Sequence, residues 1–238
     1  MGGDIDRIGT AEAASALAWW LEAGVDIAIQ EDPRDWLKGE TAPPPPAQAD
    51  EPQPAPEAPL PESLDLFRDW LVKDSALPLA SAAAGRVLPR GAENAPVMLL
   101  ADAPTGEDAA ADRPIAGDAW ELTIRMLAAI GISADDAYVA NISCFHAPGR
   151  RLSADELEAC ATIARRHIAL ARPKRLLLLG EGPARAMLGK PLPAARGHVH
   201  TIEGVRTVAT FGPRFLLNRP ADKALAWRDL LLLMEDSA

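Results

Sequence analysis

Cys144 and Cys160 are the only two cysteines in a chain of 238 residues. They stand sixteen apart in NISCFHAPGRRLSADELEAC, residues 141–160, one beside a strand-like run and the other inside a helix-like one. Thiols so placed read either as members of a ligand set or as unrelated buried side chains. Two carboxylates, Asp102 and Asp108, lie upstream in ADAPTGEDAAADRPIAGDAW. A loop carboxylate can orient water or face a cation, and it can equally accept backbone N–H groups. Asn141 ends an apolar run; its carboxamide offers a donor and an acceptor side by side, or else bonds nearby backbone. His146 is a loop histidine, while His198 and His200 flank a turn and alternate as strand residues do, so no role is assigned to them.

Four apolar runs carry these residues: VMLLA (97–101), AYVAN (137–141), RLLLLG (175–180) and VRTVATF (205–211). Helical periodicity falls between them at 118–130, 154–171 and 182–188, and again at 221–235. Strands alternating with helices imply parallel pairing through right-handed crossovers. The expected fold is a three-layer α/β/α sandwich around a central four-stranded parallel sheet. Ligands in such sheets bind off the carboxyl ends of the strands, which assigns the chemistry to loops 101–117, 141–152, 180–183 and 210–219. No Gly-x-Gly-x-x-Gly follows a strand, which disfavours a Rossmann-type enzyme for a small nucleotide.

The front of the chain differs in kind. Residues 1–73 hold 15 acidic and 5 basic side chains, which accounts for the whole net charge of −10. TAEAASALAWWLEAGVDIAIQ repeats Leu17, Trp20, Leu21, Val25 and Ile29 at helical spacing behind Thr10 as N-cap. Residues 42–62 hold nine of the 22 prolines and no apolar period, the signature of an extended, solvated tether. The chain therefore divides into an acidic helical extension (1–40), a proline-rich linker (41–63) and one main domain (64–238). Within residues 144–200, ten Arg or Lys face four Asp or Glu, enough for a locally positive face or simply a solvated one. There is no apolar run of membrane-spanning length, and the acidic start lacks a signal peptide's basic n-region. A cytoplasmic protein without a membrane partner is expected.

The loop residues, taken in order, resemble the uracil-DNA glycosylase superfamily, most closely its iron–sulfur family 4, over about residues 64–235. Ala101-Asp102-Ala103-Pro104-Thr105 stands for the family's Gly-Glu-Ala-Pro-Gly, and Pro114-Ile115-Ala116-Gly117 for its Pro-Phe-Val-Gly. Asn141 and Cys144 match its Asn and Lys-Cys-Arg-Pro-Pro, Glu156 and Cys160 its Glu-x-x-x-Cys, and Lys223, Trp227 and Asp229 its closing Lys-x-x-x-Trp-x-Asp. The resemblance implies that Asn141 reads the edge of a flipped uracil. It also implies that Asp102, with Asp108 as a second candidate acid, supports hydrolysis of the N-glycosidic bond. Ile115 and Gly212 would line the base site. Phe215 and Leu216 would push into DNA, with Arg150, Arg151, Arg214 and Arg219 meeting phosphate.

Four departures accompany the match, the first being Asp102, one methylene shorter than the family's Glu. The family's other two cluster cysteines fall on Asp74 and Leu77, so Cys144 and Cys160 are vestigial cluster positions and no 4Fe–4S cofactor, nor any other metal, is expected. Ile115 replaces the aromatic ring that stacks on the base, which gives up about 1–3 kcal/mol. Gly212 replaces the histidine that donates to the leaving base, a loss of roughly 10²–10³ in rate. The expectation is a divergent, monomeric base-excision repair protein that binds DNA, uracil-containing DNA included, with reduced or redirected hydrolase activity. A non-catalytic DNA- or protein-binding module that kept the fold stays open as the alternative. The N-terminal helix is free to recruit a protein partner.

Overall fold

Each of the four apolar runs becomes a parallel strand of one sheet. The computed structural model describes residues 60–81 and 84–235; the expected helical extension and most of the linker lie outside them. The elements run α1 (Leu64–Lys73), β1 (Gly85–Arg86), β2 (Val97–Ala101), α2 (Gly106–Ala110), α3 (Gly117–Ala129), β3 (Ala137–Asn141), β4 (Phe145–His146), α4 (Ala154–Ala171), β5 (Arg175–Leu179), α5 (Glu181–Leu188), α6 (Leu192–Ala195), β6 (Val199–Ile202), β7 (Val205–Thr210), α7 (Pro213–Asn218) and α8 (Lys223–Met234). The sheet order is β3-β2-β5-β7-β6.

Strand residues alternate between two cores because successive side chains leave a strand on opposite faces. Met98, Leu100, Tyr138, Ala140, Leu176 and Leu178 pack with Ala164 and Ile168 of α4 and Met187 of α5. Val97, Leu99, Val139, Leu177, Leu179 and Val208 pack with Ala119 and Leu127 of α3 and Leu230 of α8. A sheet covered on both faces explains why its strands read as unbroken apolar runs. Trimming one of these leucines to alanine costs about 2–5 kcal/mol.

The sheet has one strand more than expected. β6 pairs antiparallel with β7 at the edge, joined by a two-residue turn in which Glu203 and Gly204 both have positive φ, 49° and 77°, the backbone that a tight hairpin demands. The strand-like alternation of His198 and His200 belongs to this hairpin, with His200 inside β6. No described helix is long and apolar enough to cross a membrane.

Helix starts are set by side chains that meet exposed N–H groups. Ser153 and Glu156 form a reciprocal capping box at α4, and Thr105 and Asp108 form another at α2. Register then decides where the loops emerge. Ala101 lies beside both Asn141 and Leu179, and Leu179 beside Thr210. The residues after these four leave the sheet along one edge.

Candidate active site

A cavity of about 480 Å³ opens at that edge, lined by Asp102, Asp108, Ile115, Asn141, Gly212, Arg214 and Phe215 among others. Seven residues singled out from sequence thus share one cleft. Arg150, Arg151 and Arg219 do not line it, and neither do the two cysteines.

Asp102 leaves the end of β2 and points at the start of α5. Its Oδ1 accepts the Gly182 N–H at 2.8 Å, and a Cβ on either Gly180 or Gly182 would overlap the carboxylate. Gly180 has φ +111° as well, so two glycines make room for this one acid. Asp102 is reachable from the cleft, yet protein lies close around its carboxyl. Burial pushes it up to about 6, the Gly182 N–H opposes the shift, and neighbouring Glu181 adds to it. A carboxyl balanced near neutrality can hold or take a proton from water.

Asn141 ends β3. Its Nδ2 donates to the backbone carbonyls of Asp102 at 2.7 Å and Pro114 at 3.0 Å, which ties the loop after β2 in two places. Its Oδ1 is buried and accepts no hydrogen bond among the described residues. A buried acceptor without a donor costs about 1–3 kcal/mol. The carboxamide therefore does both things its type allows: one end braces backbone and the other is left for a donor.

Asp108, expected among the catalytic acids, belongs to the frame. It is 1% exposed. Its Oδ2 accepts Thr105 N and Oγ1, each at 2.8 Å, and its Oδ1 accepts Ala116 N at 2.7 Å and Arg214 Nη2 at 2.8 Å. With both oxygens saturated it has no lone pair to spare for substrate. The same bonds alter the expectation for Arg214, whose guanidinium is held by Asp108 and by Glu107 at 3.3 Å instead of standing ready for phosphate. Arg150 is likewise paired, with Glu156 at 2.5 Å, while Arg151 is exposed.

The base-site expectations fare unevenly. Ile115 lines the cleft but is 2% exposed and packs into the core with Ala119 and Leu127 of α3. Gly212 has φ −65°, and a Cβ there would meet nothing closer than Leu179 O at 3.7 Å. The backbone does not require glycine here, and a side chain would fit. Leu216 is 1% exposed, so the expected insertion of that residue into DNA is ruled out by its packing. His146 donates from Nδ1 to Pro104 O at 2.9 Å and stands outside the cleft lining.

Sequence reading passed over Phe211. Its ring stacks on Phe215 with centroids 4.8 Å apart and planes 12° apart, and both rings line the cleft. The available signal was the Phe-Gly-Pro-Arg-Phe spacing across the start of a helix.

Cys144 and Cys160 do come together, around a separate cavity of about 30 Å³ walled by Phe67, Leu71, Leu77 and Ile163 among others. Such a space holds about one water. Burial pushes the Cys144 thiol up to about 11, against a lowering by Arg86, and pushes Cys160 up to about 12. A cubane cluster needs four deprotonated ligands, and these residues do not fit one. Leu77 puts methyl groups where a ligand would stand, and the Asp74 carboxylate accepts the Ala76 N–H at 2.7 Å. Among the described residues no three His, Cys, Asp or Glu side chains are grouped to hold a metal.

Comparison with known proteins agrees with this geometry. Residues 88–231 match the uracil DNA glycosylase superfamily. A type-4 uracil-DNA glycosylase of Pyrobaculum aerophilum is 26% identical over 147 residues, covering 57% of this chain and 75% of that protein. A type-4 uracil-DNA glycosylase of Archaeoglobus fulgidus is 26% identical over 141 residues, covering 55% of this chain and 71% of that protein.

Proposed function

This chain belongs to the uracil DNA glycosylase superfamily, and from that membership we propose that it is a divergent, cytoplasmic base-excision hydrolase that takes a flipped base from DNA into the cleft. The observation that carries the reading is that Asp102, whose carboxyl burial raises to about 6, and Asn141, whose buried Oδ1 has no partner among the described residues, line one cavity. An imide N–H such as uracil N3–H supplies the donor that Oδ1 lacks. A base that presents only an acceptor at that position leaves the oxygen unpaired and is rejected.

In the proposed reaction the C1′–N bond breaks, the base leaves with the bonding electrons, and the sugar becomes oxocarbenium-like. Water adds to C1′ and gives up a proton to the Asp102 carboxylate, while the departing base is protonated from solvent. Asp108 acts through position: it fixes the loop that presents Asp102 and joins it to α7. Turnover is slow, because Gly212 places no donor near the leaving base.

The reading includes no iron–sulfur cluster, supported by the two protonated thiols and the apolar wall around them. Stoichiometric iron in purified protein would overturn that part. The remaining parts of the reading are a monomer, with residues 64–238 as the DNA-binding domain and the acidic extension as a site for a protein partner.

Excision from uracil-containing single- and double-stranded oligonucleotides tests the function. Cleavage by the native protein that disappears in Asp102→Ala and Asn141→Ala supports it. DNA binding without cleavage supports the second reading, a binding module, which the missing donor at Gly212 favours.

A further inference from the structure

The aromatic pair on the cleft wall is half of a longer stack. Arg196 lies over Phe211 at 4.9 Å from the ring centroid, Phe211 over Phe215, and Arg219 over Phe215 at 5.5 Å. The inner end is anchored in the core, where Asp229, 1% exposed, accepts from Arg196 at 2.9 Å and from Thr210 Oγ1 at 2.8 Å. The outer end is loose. Phe215 is 39% exposed, and Arg219 is held by one exposed pair with Asp222 at 3.3 Å, an interaction of little worth in water.

We infer that the outer face of Phe215, with Arg219 above it, is a stacking site for an unpaired nucleobase, and that it directs the protein toward single-stranded DNA. Resting on the reading that a flipped base enters the cleft, the site takes a neighbouring base of the same strand, because Phe215 forms part of the cleft wall. The base slides between ring and guanidinium, exchanging one cation–π contact for two flat ones while Arg219 stays free to meet phosphate. Phe211 keeps the ring from tilting, and the Asp229–Arg196 pair keeps Phe211 in place.

Duplex entry calls for the opposite shape, an apolar side chain that projects into a base step and unstacks it. Leu216 is locked into the core at 1% exposure, and Phe215 lies flat against Phe211. Leu217, at 38% exposure, is the other exposed large apolar side chain of α7, and it makes the rival outcome testable.

The test measures fluorescence anisotropy of labelled oligothymidylate, alone and annealed to oligoadenylate, neither of which carries an excisable base. Tighter binding of the single strand is expected. Phe215→Ala should weaken it roughly tenfold or more while changing duplex affinity less than about twofold, and Phe215→Trp should keep it. Arg219→Ala should lower the slope of affinity against salt by about one. Equal affinity for the two forms, a silent Phe215→Ala, or duplex binding lost in Leu217→Ala would each overturn the site. Excision is scored separately on uracil-containing strands. Phe215-dependent binding with no excision removes the hydrolase reading and leaves the stacking site, whereas excision with strand-indifferent binding does the reverse.

Discussion

The cleft at the strand ends and the corner around Cys144 and Cys160 lie on either side of the loop after β3, and they are built in opposite ways. In the cleft, the frame is saturated and the working atoms are not. Asp108 and Asn141 Nδ2 spend their hydrogen bonds on backbone, while Asn141 Oδ1 is unpaired and Asp102 stands near neutrality. In the corner nothing is held in reserve. Burial pushes both thiols up, and Phe67, Leu71 and Leu77 stand with Ser143 and His167 around a small cavity. Two equally suggestive sequence signals, acid plus amide and cysteine plus cysteine, thus part company in their surroundings. The first brings a raised carboxyl to an open cleft, and the second places two thiols in largely apolar surroundings.

Substitutions in the two places should therefore read out differently. The largest effect belongs to Asp102: replacement by Ala should lower single-turnover uracil excision about 10²–10⁴-fold, and an undiminished rate would take the acid out of the chemistry. Next, Gly212→His should raise excision by up to about 10²–10³-fold, since the backbone there accepts a side chain. No change would mean that the cleft holds its base in another orientation. In the corner, Cys160→Ser buries a hydroxyl in apolar surroundings and should cost about 1–3 kcal/mol in urea unfolding, with excision unaltered. A fall in excision at intact stability would make the corner a working site after all.

The most graded effect, small over any one pH unit, concerns His167. Its Nε2 shares a hydrogen bond with Tyr138 Oη at 2.7 Å, and burial holds it down to about 3. A histidine kept neutral in the fold but free to charge near pH 6.5 when unfolded contributes stability that is complete above that pH and is lost as the pH falls toward 3. The slope due to this group should be about 1.4 kcal/mol per pH unit. Equal acid sensitivity in His167→Gln would remove the assignment.

Much of the frame was legible because sheets covered on both faces leave plain marks. The runs at 97–101 and 137–141 are the strands β2 and β3 to the residue, and the alternation of strands with helices sends their ends to one edge. β6 escaped because an exposed edge strand of four residues has no apolar run, only the Glu-Gly turn beside it. The bond between Asp108 and Arg214 escaped for a different reason. It joins residues 106 positions apart, and two charged loop side chains give no local sign that they neutralise each other. Leu216 could be identified as apolar, but its direction depended on how α7 packs, which no short spacing encodes. The shared place of Cys144 and Cys160 was implied only by the family resemblance; both line one small cavity, whose other walls no spacing encodes.

Whether Asp102 works as a carboxylate at the cleft is decided by the pH dependence of single-turnover uracil excision. With its carboxyl at about 6, the rate should be level above that pH and fall about tenfold per unit below it. Asp102→Asn should abolish this dependence along with most of the rate. A profile that stays flat through that pH in the native protein, or one that keeps its fall in Asp102→Asn, would contradict the account.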